Sequence, residues 1–154
     1  EKIPSAKKTN AIVDYAHTPD GLENVLKTAV SLKPEGGRLI SVFGCGGDRD
    51  KKKRKIMGSI SSRFADFTII TSDNPRSEDP GLIISMIEEG FKESGSGDYE
   101  KIPDRKSASI KALEISGEKD IVLVAGKGHE DYQEFADRKI HFSDQEVIEE
   151  WGRN

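Results

Sequence analysis

Three clusters of polar and charged residues could bind a small ligand in this sequence, because each follows a short apolar run. The clusters are 44–49 (Gly-Cys-Gly-Gly-Asp-Arg), 73–76 (Asp-Asn-Pro-Arg) and 126–130 (Gly-Lys-Gly-His-Glu). They offer guanidinium, amide and carboxylate groups. Open α/β sheets bind small molecules in the crevice at the carboxyl ends of their strands. The sequence therefore predicts that three strand ends converge on one ligand.

The elements that must position these clusters alternate between short apolar runs and longer amphipathic ones, as expected of βα units around a parallel sheet. Strands are predicted at 11–15, 39–43, 67–71, 99–102 and 121–125. Helices are predicted at 18–32, 51–64, 80–91 and 104–115, and a last helix should start at the cap Ser143 and run through Trp151. Residues 132–135 and 139–142 should form an antiparallel hairpin. We expect an α/β fold with a mostly parallel, doubly wound sheet and this C-terminal hairpin.

Composition argues against several classes of protein. Lys and Arg number 24 against 28 Asp and Glu, a formal charge of −4, which disfavours a general nucleic-acid binder. No apolar run approaches the roughly 18 residues of a membrane span, and the polar residues 1–10 do not fit a signal peptide. Cys45 is the sole cysteine, so no internal disulfide can form and a reducing, cytoplasmic compartment is expected. Its thiol is expected to pack in the interior. The length suits one domain, and a lysine-rich start at Glu1 suggests a domain of a longer protein.

Common nucleotide-binding and metal-binding signatures do not fit. Arg49 stands where a dinucleotide fingerprint needs its third glycine, and Gly128 follows Lys127 where a P-loop needs Ser or Thr. The cysteine and the three histidines lie in different segments, so no protein-only metal site is predicted. A Rossmann-type regulatory module that binds a nucleotide stays open as an alternative function.

Four motifs occur in one order along the chain: 13–20 (Val-Asp-Tyr-Ala-His-Thr-Pro-Asp), 43–50 (Phe-Gly-Cys-Gly-Gly-Asp-Arg-Asp), 73–76 and 126–130. Together they resemble the C-terminal domain of the MurE family of Mur ligases. The resemblance covers nearly the whole chain and implies a Rossmann-like domain of an ATP-dependent ligase. Such ligases add meso-diaminopimelate to UDP-N-acetylmuramoyl-L-alanyl-D-glutamate through an acyl phosphate, in bacterial peptidoglycan synthesis. The UDP-binding and central ATPase domains of the family would be absent from residues 1–154.

The resemblance implies a binding site for meso-diaminopimelate. The contacts of the family fall here on Arg49, Asp73, Asn74, Pro75, Arg76, Gly126 and Glu130. This ligand carries a carboxylate and an ammonium at both ends, so it needs cations for two carboxylates and an acceptor for the ammonium that does not react. Arg49, Arg76 and Glu130 meet that need. L-Lysine has no distal carboxylate, and Arg76 would lack a partner in its complex, so Arg76 favours diaminopimelate.

The motif at 14–19 resembles the segment by which Mur ligases and folylpolyglutamate synthases close this domain over ATP. The resemblance implies that Asp14 contacts the ribose, Tyr15 the adenine and His17 the phosphates; a simple turn into the helix is the alternative. ATP and Mg²⁺ are expected as cofactors, with the metal ligands mainly in the central domain. No catalytic residue is expected in this domain, and the fragment alone should be inactive. An L-lysine-adding Mur ligase and a folylpolyglutamate synthase-like ligase stay open as alternatives.

Other charged residues are interpreted as structural. The run 51–55 (Lys-Lys-Lys-Arg-Lys) is interpreted as a solvated face of an amphipathic helix whose inner face includes Ile56, with an anion contact as the alternative. Arg105 and Lys106 begin a predicted helix and are expected to face solvent.

Overall fold

The computed structural model describes residues 2–3 and 9–154, and its main feature is a six-stranded sheet. The strands are β1 (Lys2–Ile3), β2 (Asn10–Asp14), β3 (Leu39–Phe43), β4 (Phe67–Ile70), β5 (Asp98–Lys101) and β6 (Ile121–Ala125). Their spatial order is β1-β2-β6-β3-β4-β5, in which β2 to β6 are parallel and β1 is antiparallel to β2. A separate antiparallel hairpin pairs β7 (Tyr132–Glu134) with β8 (Lys139–His141). The predicted α/β fold, mostly parallel with a hairpin, is confirmed.

Five helices in the described residues cover both faces of the sheet. They are α1 (Pro19–Leu32), α2 (Lys52–Phe64), α3 (Pro80–Ser94), α4 (Arg105–Ile115) and α5 (Asp144–Arg153). Successive side chains of a strand point to opposite faces, which divides the core into two layers. Leu39 and Leu123 pack with α1, α2 and α3, whereas Ile40 and Val122 pack with α4 and α5. Within the described ranges, the helices are too short or too polar to cross a bilayer.

Side-chain caps explain where most of these helices begin. Thr18, Asp79, Asp104 and Ser143 each accept a backbone N–H from the first turn of the helix that follows. The third helix runs past its predicted end at residue 91 to Ser94, where Gly95 ends it with φ 66°.

The polar start of the chain contributes a strand to the sheet. Lys2 and Ile3 form a short strand that pairs with Ile12 and Ala11, because the edge of β2 offers free backbone groups. Residues 1 and 4–8 lie outside the described residues.

The expectation that Arg105 faces solvent is wrong, although Lys106 is exposed as expected. The side chains of Arg105 and Asp144 are fully buried and form an ion pair, with 2.9 Å between Nη2 and Oδ2. Arg105 also donates hydrogen bonds to the carbonyls of Ser72 and Ala125, each at 3.0 Å. Burial alone would lower the pKa of Arg105, but the Asp144 carboxylate raises it above its usual value. Because Ser72 follows β4 and Ala125 ends β6, one guanidinium ties two strand ends together.

Replacing Asp144 by Asn should destabilise the domain by about 3 to 5 kcal/mol, because an uncompensated guanidinium would stay buried. The free energy of unfolding is measured by denaturant titration and circular dichroism. Asp137→Asn is the matched control, since its carboxylate pairs with Arg138 at the surface and should contribute at most about 1 kcal/mol. Similar losses for the two variants would contradict the structural role of the buried pair.

Candidate functional site

A cavity of about 460 Å³ lies where β2, β3, β4 and β6 reach their carboxyl ends. Most of the residues predicted to contact diaminopimelate line it: Arg49, Asp73, Asn74, Arg76, Gly126 and Glu130. Tyr15 and His17 of the predicted ATP set line the same cavity. The three polar clusters at the strand ends therefore meet in one place, as the topology of a parallel sheet requires. Their ligand assignments stay predictions.

The turn that carries Asn74 and Arg76 is held against the glycine-rich loop. Gly47 donates its N–H to the carbonyl of Asn74 at 2.8 Å, and Arg76 Nη1 donates to the carbonyl of Gly47 at 2.9 Å. A Cβ on Gly47 would lie 1.7 Å from the carbonyl oxygen of Pro75, so only glycine allows this approach. Pro75 itself is buried and shapes the turn without lining the cavity. The glycines of this loop thus serve close packing of two loops.

Arg76 keeps one guanidinium nitrogen, Nη2, available at the cavity. It adopts φ 53°, a left-handed conformation that costs a non-glycine residue on the order of 1 kcal/mol, and the loop contacts hold it there. Its Nε donates to Glu134 Oε1 at 3.2 Å, while its Nη2 has no hydrogen-bond partner among the described residues. Arg49 is exposed and donates only Nη1, to the carbonyl of Asp48, within that part of the chain. Both arginines can therefore receive carboxylates.

Gly126 contributes its backbone to the cavity wall. It has φ 117°, and a Cβ there would lie 3.2 Å from Asp73 Oδ2. A side chain at this position would be strained and would crowd the carboxylate below it.

The residues predicted for ATP lie on two surfaces. Asp14 is not part of the cavity lining; it lines a shallow groove beside α1, and its Oδ1 accepts the Ala16 N–H at 2.9 Å. Tyr15 is 54% exposed and meets the His17 ring edge-on, with 4.7 Å between centroids. The Glu130 carboxylate raises the pKa of Tyr15 above its usual value.

The sequence interpretation missed Lys127, which is completely buried beside the cavity. Its ammonium contacts Asp73 Oδ1 at 3.2 Å, Asn74 Oδ1 at 2.9 Å and Glu130 Oε1 at 3.0 Å. The available signal was its place inside the 126–130 motif, directly after an apolar strand. One buried cation therefore connects two of the motifs that form the site.

The run 51–55 is only in part a solvated face, because Arg54 is buried. Its Nη2 lies 2.6 Å from Glu78 Oε2 and donates to the carbonyl of Gly46 at 3.0 Å. Glu78 Oε2 also accepts the Asp48 N–H at 2.6 Å. This ion pair, in which only Arg54 is fully buried, joins α2 to the glycine-rich loop and to the segment after Arg76.

Other residues of α2 follow the prediction unevenly. Lys53 lines the cavity, while the other lysines of the run are exposed. Ile56 is 50% exposed, contrary to the expected inner face, because it lies on the outward side of the helix next to the buried Met57.

Cys45 is buried as expected; its Sγ lies 3.7 Å from Met57 Sδ, and burial raises the pKa of its thiol to about 12.

The pair of Arg54 and Glu78 should make stability depend on pH. The hydrogen bonds from Arg54 and from the Asp48 N–H lower the pKa of Glu78 from 4.5 to about 2. A carboxyl with a lowered folded-state pKa stabilises fully above its unfolded-state pKa, and this contribution disappears as the pH falls through the folded-state value. The free-energy gap between wild type and Glu78→Gln should therefore shrink as the pH falls from 4.5 towards 2.

Urea unfolding of both proteins across this window measures the gap. Glu35→Gln, an exposed carboxylate, is the control and should differ from wild type by the same small amount throughout. A gap for Glu78→Gln that stays constant with pH would contradict the role given to this ion pair.

Residues 1–128 match the family described as Mur ligase, glutamate ligase domain. The chain belongs to this family. The match includes the four motifs up to Gly128 and leaves the hairpin and α5 outside it.

Ligases of the same name from two organisms align with most of this chain. The chain is 57% identical over 141 residues to the UDP-N-acetylmuramoyl-L-alanyl-D-glutamate--2,6-diaminopimelate ligase of Clostridium botulinum. This alignment covers 92% of this chain and 28% of that protein. The ligase of the same name from Chlamydia caviae is 54% identical over 138 residues, covering 90% of this chain and 28% of that protein. The predicted resemblance to MurE is confirmed.

Solved structures agree with these matches. A structure of a ligase of that name has a TM-score of 0.89 and 40% identity, covering 99% of this chain and 31% of that one. E. coli FolC in complex with ADP has a TM-score of 0.55 at 21% identity, covers 78% of this chain and 26% of its own, and shares the fold alone. The chain thus spans less than a third of the length of the ligases it resembles.

Proposed function

We propose that this chain is the amino-acid-binding domain of an ATP-dependent ligase. The ligase would add meso-diaminopimelate to UDP-N-acetylmuramoyl-L-alanyl-D-glutamate in peptidoglycan synthesis. The observation that carries the proposal is one cavity lined by Arg49, Arg76 and Glu130 together. Two guanidinium groups and a carboxylate complement a zwitterion that is charged at both ends. The names of the relatives from two organisms support this substrate class.

The donors at the cavity suggest how the ligand would lie. Nη2 of Arg76 and Nδ2 of Asn74 would receive the distal carboxylate, and the exposed guanidinium of Arg49 would receive the other one. Glu130 would accept from the ammonium that does not react. The Arg76 side chain is only 20% exposed, so its charge-assisted bond would be worth about 1.5 to 3 kcal/mol.

In the proposed reaction a γ-carboxylate oxygen of D-glutamate attacks the terminal phosphorus of ATP. The bond from that phosphorus to the bridging oxygen breaks, ADP leaves, and an acyl phosphate forms. The free amine of diaminopimelate then attacks the carbonyl carbon, a C–N bond forms, the C–O bond to phosphate breaks, and the amine loses a proton. This chain would contribute by holding the amine close to that carbon and by excluding water from the acyl phosphate. Positioning of this kind can supply a large part of a rate enhancement.

The nucleotide would meet the amino acid at this cavity, because Tyr15 and His17 line it with the diaminopimelate residues. Asp14, in the neighbouring groove, would reach the ribose. No group of three or more His, Cys, Asp or Glu side chains in the described ranges could hold a metal ion. We propose that the Mg²⁺ ligands lie mainly in a central ATPase domain. That domain and a UDP-binding domain would complete the enzyme in the bacterial cytoplasm.

Replacing Arg76 by Ala should lower kcat/KM for meso-diaminopimelate by about 100-fold, because the distal carboxylate loses its cation. Turnover of L-lysine should fall much less, since lysine has no such carboxylate. The measurement uses a chimera in which this chain replaces the matching segment of the Clostridium botulinum ligase. Arg138→Ala, which removes an exposed guanidinium stacked on Phe135, is the control and should retain activity. Equal losses for both amino acids would contradict the proposed selectivity.

The pure chain should neither hydrolyse ATP nor form the amide, because the residues that activate the carboxylate would lie in other domains. Phosphate release and mass spectrometry of the UDP product measure the two activities. Turnover above that of buffer would contradict the proposed division of labour. A chain that binds NAD and not meso-diaminopimelate would favour a regulatory nucleotide-binding module instead.

A further inference from the structure

We propose that Lys127 is a positioning residue that sets the amino-acid site to accept one carboxylate and one ammonium side by side. The inference rests on the proposed function and adds a residue that touches no ligand itself. Lys127 would act through Asn74, whose donor it orients, and through Asp73, whose charge it neutralises.

The contacts of Lys127 use its whole ammonium group. Three N–H donors meet three acceptors: Asp73 Oδ1, Asn74 Oδ1 and Glu130 Oε1, at 2.9 to 3.2 Å. The side chain is 0% exposed, and its Nζ lies 5.4 Å from the centre of the Tyr132 ring, which lines the cavity. A lysine buried this far must be compensated by charge and hydrogen bonds. Its partners here are the residues that would hold the ligand.

The first consequence concerns the carboxamide of Asn74. The two ends of an amide differ little in shape, so only hydrogen-bond partners decide which end faces the cavity. Asn74 Oδ1 accepts from Lys127 Nζ and from the Glu134 N–H at 3.0 Å, which places Nδ2 at the opposite end. Nδ2 lies 3.5 Å from Glu130 Oε1, on the side of the cavity. Lys127, together with the Glu134 N–H, thereby orients Asn74 as a donor, which a ligand carboxylate requires.

The second consequence concerns the charge of the site. Asp73 and Glu130 carry two carboxylates against the single ammonium of Lys127, which leaves one net negative charge for one ligand ammonium. Without Lys127 the net charge of this group would be −2 and no longer −1, beside the place proposed for the distal carboxylate. The ligand would then be repelled at the same end that the arginine attracts.

Lys127→Met in the chimera tests the inference, because methionine keeps the length of the side chain and removes the charge. We expect KM for meso-diaminopimelate to rise about 30-fold or more, from the loss of charge-assisted hydrogen bonds, while KM for ATP changes less than about twofold. Lys139→Met is the matched control: Lys139 Nζ lies 4.0 Å from the same Tyr132 ring, and the residue is exposed. It should leave both KM values near those of wild type.

Adding Asp73→Asn to Lys127→Met should recover part of the lost affinity, since it removes the carboxylate left unpaired. The double variant also serves if Lys127→Met alone does not fold. A KM for meso-diaminopimelate equal to that of wild type, in Lys127→Met or in the double variant, would overturn the inference.

A readout without ligand separates the inference from the proposed function. In ¹⁵N NMR spectra of the isolated chain, the side-chain NH₂ signals of Asn74 should shift in Lys127→Met and stay in place in Lys139→Met. Unchanged Asn74 signals in Lys127→Met would overturn the positioning role. If the wild-type chimera does not use meso-diaminopimelate, the proposed function fails, and the NMR result alone decides whether Lys127 orients Asn74.

Discussion

A fully buried ion pair between Arg105 and Asp144 holds the strand ends on which the site is built. Two ions removed from water carry a desolvation cost that only good geometry and further hydrogen bonds can offset. Here the guanidinium meets both carboxylate oxygens and the carbonyls of Ser72 and Ala125. Asp73 and Gly126, the first residues of two site motifs, directly follow Ser72 and Ala125. Their backbones therefore leave the sheet from one common attachment, which is set by the first residues of the helices α4 and α5.

A second buried cation organises the side chains above that attachment. Lys127 is bound on three sides by carboxylate and amide oxygens, so it orders the acidic wall of the cavity. Arg49 and Arg76 differ from it because they keep donors available on the solvent side. Buried cations thus provide the shape of the site, and the more accessible ones provide its chemistry. Under the proposed function, this separation would let the domain decide which amino acid reacts by positioning it.

The fold was largely predictable, because its strands are continuous apolar runs and its helices begin at polar caps such as Ser143. Burial of charge was not predictable. Arg105 and Lys106 are both cationic residues at the start of a helix. Arg105 alone is buried, because it pairs with Asp144, 39 positions later in the sequence. Topology brought the strand-end clusters together, but adjacent residues of an extended segment point to opposite sides. Asp14 and Tyr15 therefore reached different surfaces, which motif spacing alone could not show.

The central claim is that the charges of this cavity are arranged for an amino acid charged at both ends. A crystal structure of the chain with meso-diaminopimelate bound tests it most directly. The account predicts one ligand carboxylate at the Arg76 guanidinium, the Asn74 Nδ2 beside it, and the neighbouring ammonium at Glu130. A ligand bound elsewhere on the domain, or one in the cavity with its ammonium groups at the arginines, would contradict the account.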